Sequence, residues 1–334
     1  MYYIAADEVQ WNYTPGAPTF LIRGENELAQ VPPARSNTYT KVVYHEYTDA
    51  TFQTMKPRLP EWEHLGILGP LIRAEVGDTI KIVFKNNSRL ICTMHAHGVE
   101  YDKESEGAYY GESPSAPPDR AHKGNAVQKG ESFTYTWNVP ERAGPGPMDP
   151  SSILWMYHSH FNESVDMNSG LLGPMIISRR GSTKPDGTPK DVDREFVVAF
   201  SVFQENVSHF FMQNIVHDQR YPAETIHDPN FGKTLEYYTL NGYTRGTMPL
   251  LKMKKGERVR WYLMANSNED DVHAPHWHGQ TVIANSMRSD TLNLGPMGMM
   301  VADMIPDNPG TWLFHCHVND HLDGGMYGLF EVTR

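Results

Sequence analysis

One ordered set of elements occurs twice in this chain. The run 79–84, opened by Gly77-Asp78, leads past Asn86-Asn87 to His95-Ala96-His97-Gly98; the run 258–264, opened by Gly256-Glu257, leads past Asn266 to His276-Trp277-His278-Gly279. Further on, residues 155–160 find their counterpart at 312–317, and residues 173–179 at 328–334. The offsets are 181, 157 and 155 residues, so the copies drift only by loop lengths. Self-similarity of this kind marks a duplicated unit and requires two versions of one architecture. Within each copy the apolar runs are short and alternate with period 2, as Phe133, Tyr135 and Trp137 do across 131–139, the pattern of half-buried strands. An all-β fold with many-stranded, Greek-key-like patterning follows. We expect a first domain over 1–180, a linker over 181–193 by its Ser, Thr, Lys, Pro, Asp and Gly content, and a second domain over 194–334.

Length agrees, since 334 residues suit two domains that each bury a core. The balance of 29 Lys+Arg against 40 Asp+Glu gives a net charge of −11, which argues against nucleic acid or an anionic membrane surface and for attraction of cations. No run approaches the ~20 apolar residues of a membrane span, and the N-terminus has no basic region followed by an apolar segment. Cys92 and Cys316 are the only cysteines, so a metal on one of them leaves no intrachain disulfide.

Ten of the sixteen histidines fall into four clusters: His95/His97, His158/His160, His273/His276/His278 and His315/His317/His321. On a strand, a period-2 pair puts both imidazoles on one face, able to grip a metal from one side. Residues 311–314 read as a buried strand running into His315-Cys316-His317, so the two histidines share a face and Cys316 looks the other way. A thiolate with His273, His321 and the thioether of Met326 is the ligand set of a mononuclear blue-copper electron-transfer centre. The first copy has Cys92 opposite His273, Ser159 opposite Cys316 and Ser164 opposite His321, so only the second copy keeps that site. Eight histidines remain, four per copy, which suits three further copper ions, one held by two histidines and a pair held by three each.

These motifs, His-x-His-Gly, His-x-His, His-x-x-His-x-His-Gly and His-Cys-His-x3-His-x4-Met, resemble those of multicopper oxidases over essentially the whole chain. In length the chain is similar to two-domain small laccases. The runs Leu68-Gly69-Pro70-Leu71-Ile72-Arg73-Ala74-Glu75 and Asn308-Pro309-Gly310-Thr311-Trp312 resemble ceruloplasmin and hephaestin domains. The resemblance implies two cupredoxin-like domains and four coppers per functional unit: a type 1 ion on His273, Cys316, His321 and Met326, a type 2 ion on His95 and His276, and a type 3 pair on His97, His158, His160, His278, His315 and His317. It implies a laccase-like oxidoreductase that takes single electrons from phenols or aromatic amines and reduces O2 to water at the trinuclear cluster. It further implies a head-to-tail homotrimer, whose clusters form between one subunit's first domain and a neighbour's second; a chain that closes the cluster on itself is the alternative. The residues leave either a cytosolic protein or one whose signal has been removed, and we expect an extracytoplasmic location, secreted or periplasmic. Alternatives are a metallo-oxidase for Cu(I) or Fe(II), a copper-binding electron-transfer protein, and a nitrite reductase-like enzyme. The last keeps its blue site in the first domain, where Ser159 stands here.

Secondary candidates gather around the ligands. Tyr101, four residues after His97, corresponds to a tyrosine near the cluster in small laccases, and Glu106 to an acidic residue that passes protons. Glu269, Asp270, Asp271, Asp320 and Asp323 make an acidic rim by the type 1 ligands, favouring cationic substrates. Ceruloplasmin-like ferroxidases carry a Glu and a His shortly before the Asn-Gly that is Asn241-Gly242; Lys233 and Tyr238 stand there, so only Asp320 matches that iron site. Met297, Met299, Met300 and Met304 suit either core filling or soft-ligand capture of Cu(I).

Overall fold

The computed structural model describes residues 1–16, 37–110, 123–217, 230–266 and 272–334. Among these the chain divides into two compact units: Met1–Val9, Lys41–Arg58 and Leu68–Asp191 form the first, and Gln10–Thr40, Leu59–Ile67 and Val192–Arg334 the second. The expected all-β class is observed. Among the described residues helix is confined to two short α-helices, α1 (Glu163–Asn168) and α2 (Asn319–Asp323), and to short 3-10 and π segments. Among the described residues no helix is long and apolar enough to cross a membrane.

Strands β1 (Tyr2–Asn12), β2 (Thr38–Glu46), β3 (Ile72–Glu75), β4 (Thr79–Asn86), β5 (His95–Ala96), β6 (Ser132–Asn138), β7 (Ser152–His158) and β8 (Leu172–Ser178) make two four-stranded sheets, ordered β2-β1-β4-β6 and β3-β8-β7-β5. The second unit holds β9 (Arg194–Gln204), β10 (Glu236–Leu240), β11 (Leu251–Lys254), β12 (Val259–Ala265), β13 (Pro275–Trp277), β14 (Val282–Ala284), β15 (Met287–Ser289), β16 (Met299–Met304), β17 (Gly310–Cys316) and β18 (Tyr327–Thr333). Its sheets run β10-β9-β12-β16-β14-β15 and β11-β18-β17-β13. The duplication read from the sequence extends to the pairing: β1 lies parallel to β4 as β9 does to β12, β3 to β8 as β11 does to β18, and β5-β7-β8 repeats as β13-β17-β18.

Aromatic side chains join the two sheets of each unit. In the first, Tyr44 on β2 meets Phe84 on β4 at 6.1 Å and Tyr157 on β7 at 5.5 Å between ring centroids. In the second, Trp261 on β12 meets Phe314 on β17 at 5.0 Å and Trp277 on β13 at 5.6 Å. These rings are fully buried, each withdrawing ~150–250 Å² from water, a gross gain of roughly 4–6 kcal/mol apiece. β12 is buried on both faces as a central strand must be, and its one cation, Arg260, is satisfied by a two-point pair with Asp303 at 2.7 and 2.9 Å. β17 departs from the sequence reading: Thr311 is exposed, Trp312 and Leu313 are only partly covered, and full burial is confined to Phe314, His315 and Cys316.

Candidate metal centres

The register of β13 against β17 sets Pro275 opposite Cys316, His276 opposite His315 and Trp277 opposite Phe314. Because side chains alternate across the sheet, Phe314 and Cys316 join Trp277 in the core while His276, His278, His315 and His317 share the other face. Neighbouring rings of that face are 4.9–5.2 Å apart, and Nε2 of His278 and Nε2 of His315 approach to 3.1 Å. The first unit repeats this on β5 and β7. His95 lies opposite His158, the rings of His95, His97, His158 and His160 adjoin at 5.1–5.6 Å, and His97 Nε2 and His158 Nε2 are 3.1 Å apart.

One detail shows what these rings are turned for. His95 Nδ1 bonds the Glu106 carbonyl at 2.7 Å, His276 Nδ1 that of Asp290 at 2.8 Å, His158 Nδ1 that of Ser159 at 3.0 Å and His315 Nδ1 that of Cys316 at 2.8 Å. A carbonyl only accepts, so the proton sits on Nδ1 and the Nε2 lone pair is free. A backbone carbonyl on the far nitrogen is the usual support of a metal-bound imidazole. Burial, reinforced by the adjoining imidazoles, also disfavours the charged form: it takes His97 and His315 down to about 4 and His158 well below its ordinary value, and it lowers His95 and His278. Neutral, converging lone pairs fit a copper ion.

A stability test follows for the copper-free chain. Between about pH 6.5 and 4 the unfolded state protonates these histidines and the folded state does not, so their contribution is complete above 6.5 and is lost as pH falls toward 4. Up to about 3 kcal/mol is at stake for His97 alone. Melting temperature should fall across this window and fall less steeply in His97→Gln; equal slopes would remove the claim.

On the core side, a loop carries His273 and α2 carries His321 to Cys316. Their Nδ1 atoms are 3.1 Å apart, and the thiol sulfur is 3.8 and 3.5 Å from them. All three residues are buried, and the Ala274 amide donates to the sulfur at 3.3 Å. Two imidazole nitrogens and a thiol aimed at one point suit a soft, thiolate-binding metal. Met326 is fully buried, and its carbonyl accepts from the Cys316 amide at 3.1 Å.

The first unit keeps the frame without the ligands. Ser159 Oγ takes the Thr93 amide at 3.1 Å, as Cys316 takes that of Ala274, and donates to buried Asp166 at 2.7 Å. The Ser159 amide donates to Leu171 where Cys316 uses Met326. Burial pushes the Cys92 thiol up to about 12, so it carries no thiolate at neutral pH.

The other candidates divide. Tyr101 lies 5.8 Å from His95, ring to ring. Glu106 stands beside His95 through its backbone; burial raises its carboxyl, but Lys103 and Tyr110, both bonded to it, hold it below the ordinary range. Asp320 is exposed at the start of α2, next to buried His321. Glu269, Asp270 and Asp271 lie outside the described residues. Met304 is core and Met300 packs against it, while Met297 and Met299 are only partly covered.

The glycine ending each His-x-His-Gly motif has a steric reason that its spacing did not show. Gly98 has φ +77, and a Cβ there would fall 2.2 Å from the Trp155 ring, which is fixed by its indole bond to the Ala143 carbonyl. Gly279, at φ +67, meets Trp312 at 3.0 Å. Gly98→Ala should destabilise by about 2 kcal/mol or more, and Gly279→Ala by less; equal denaturation midpoints for the two variants would contradict this.

Residues 65–182 match one family model of multicopper oxidases and residues 218–334 match another. The chain belongs to the multicopper oxidase family. It is 38% identical over 348 residues to hephaestin of Mus musculus (99% of this chain, 28% of that protein) and 39% identical over 349 residues to ceruloplasmin of Homo sapiens (100% and 32%). It is also 37% identical over 348 residues to the ferroxidase HEPHL1 of Mus musculus (99% and 29%). This multicopper oxidase chain thus spans under a third of the length of the curated relatives it matches. In fold it resembles a blue copper oxidase from Nitrosomonas europaea, with TM-score 0.62 and 19% identity over 99% of this chain and 85% of that one. A second solved multicopper oxidase gives TM-score 0.62 at 20% identity, over 99% and 88%. Their likeness supports the cupredoxin-like fold.

Proposed function

We propose that the chain is a laccase-like oxidase in which His273, Cys316 and His321, with Met326 as the fourth ligand, would hold a type 1 copper. His95 and His276 would hold a type 2 ion, and His97, His158, His160, His278, His315 and His317 a type 3 pair. When bound, the type 1 ion accepts single electrons and the cluster supplies the four that reduce O2 to water. The observation that carries the reading is the split of faces at His315-Cys316-His317, which sets a thiol pocket and a four-imidazole face one residue apart. Cys316 supplies a buried sulfur; carbonyls on Nδ1 of His95, His158, His276 and His315 fix the heading of those rings. Each unit offers four imidazoles, two of them tethered by carbonyls, half of what the cluster needs, and by resemblance to two-domain small laccases the halves meet between neighbouring chains of a homotrimer.

The substrates we favour are phenols and aromatic amines, because Lys233 and Tyr238 replace two groups of the iron site. Kinship with HEPHL1 supports a second reading, oxidation of Fe(II) or Cu(I). Oxygen uptake by the copper-loaded protein, measured in parallel with a phenol, an aromatic amine, Fe(II) and Cu(I), decides between them. Uptake is expected with the organic reductants; none with any reductant from a blue, fully loaded sample would reject oxidase activity. Light scattering with copper analysis should give a trimer mass, and a monomer holding its whole copper complement would reject assembly between chains.

A further inference from the structure

His321 is only 6% exposed, and a tyrosine covers it. The ring of Tyr238, on β10, lies 5.2 Å from the His321 ring at 43°. Tyr238 is half-buried, so its ring connects the solvent side to a ligand of the thiol pocket. Two residues back on the same strand face is Glu236, whose Oε2 accepts from the Tyr238 hydroxyl at 2.8 Å and whose Oε1 accepts from Gln204 Nε2 at 3.5 Å. The space for the ring depends on Gly324, where a Cβ would fall 2.4 Å from it. An aromatic platform thus lies over His321 with an oriented carboxylate at its rim. A ring stacks favourably on such a platform, and a carboxylate has lone pairs left for an O–H or N–H.

We propose that Tyr238 and Glu236 form the docking site for the reducing substrate and select an aromatic ring bearing a hydroxyl or amino group. This rests on the oxidase reading above. The substrate stacks on Tyr238 and its O–H or N–H bonds Glu236. A type 1 copper on His273, Cys316 and His321 would supply the one-electron acceptor; as the substrate gives up its electron on the His321 side, its own O–H or N–H bond breaks and the proton passes to the Glu236 carboxylate. The substrate departs as a neutral radical, and charge balances without a further reactant. A metal ion gives up its electron without a proton, so Glu236 would contribute nothing of this kind to its oxidation.

The test mixes the oxidised, copper-loaded protein anaerobically with 2,6-dimethoxyphenol, hexaammineruthenium(II) or Fe(II) and follows loss of the blue absorption. Glu236→Gln should slow bleaching by the phenol ~10²-fold, the scale of a lost proton acceptor, while bleaching by ruthenium and the position of the blue band stay unchanged. In the copper-free protein, NMR shifts should report saturable phenol binding that Tyr238→Phe keeps and Tyr238→Ala loses. Unchanged phenol kinetics, or equal slowing of phenol and ruthenium, would overturn the proposal. Equal slowing of phenol and Fe(II) would identify Glu236 as a metal ligand and overturn it as well. The oxidase reading is judged separately in the wild type, by return of the blue absorption on admitting air. If no blue centre forms, the copper-free binding measurement still decides whether Tyr238 is a platform.

Discussion

Cys316→Ser is expected to abolish the blue absorption and bring substrate oxidation to background, while copper bound by the imidazole faces remains. The reason lies in the alternation of β17. The sulfur faces the core pocket with His273 and His321, whereas His315 and His317 face the other side with His276 and His278. A serine oxygen is a hard donor with a high pKa and makes a poor copper ligand beside two imidazoles. The fold should tolerate it. The first unit already carries Ser159 at this position, and in the second unit the new hydroxyl lies near two ring nitrogens and the Ala274 amide. The ~1–3 kcal/mol cost of an unpartnered buried hydroxyl is thereby largely avoided. Copper analysis with electron paramagnetic resonance reads the outcome. Loss of all copper would mean that one site has been mistaken for two.

The complementary result comes from His158→Gln or His315→Gln. Each removes a buried ring whose Nε2 stands 3.1 Å from that of a neighbour. Here the blue absorption should persist in its oxidised form, and a reductant should bleach it, but air should not restore it and oxygen uptake should fall to background. The residual amide cannot supply a neutral nitrogen lone pair, so one ion of the proposed pair loses a third of its protein ligands. A variant that bleaches and recovers at the wild-type rate would dissociate these faces from dioxygen chemistry.

Much of this was legible in the residues because both the copper motifs and the strands run on period 2. His95/His97 and His315/His317 each had to share a face, and the repeat showed that Ser159 stands where Cys316 does. What was not legible depends on backbone partners or distant pairing. No residue type announces that the Glu106 or Asp290 carbonyl orients an imidazole, since every residue carries that acceptor. Glu106 looked like a proton donor by its side chain, yet what it presents to His95 is its peptide oxygen. Described parts of Gln10–Thr40 and Leu59–Ile67 join the second unit through contacts such as the Tyr13–Tyr237 stack at 4.1 Å and the Ile67 amide on the Asn241 carbonyl at 3.1 Å. These partners are 224 (237 − 13) and 174 (241 − 67) residues apart in sequence, beyond the reach of local pattern. Tyr238 registered only as a missing histidine; its tilted ring contact with His321 follows from the approach of β10 to α2, with Gly324 leaving room.

The bond from His315 Nδ1 to the Cys316 carbonyl has one more implication. It closes a small ring of covalent and hydrogen-bonded atoms from the residue that carries the sulfur to the imidazole beside it, which under the proposed function would give charge a second parallel path between the two faces of β17. The same loop closes between His158 and Ser159, where no sulfur stands. Its first task is therefore mechanical, to lock a ring's heading. Conduction would be an additional property under the proposed function, gained only in the copy where Cys316 stands at one end.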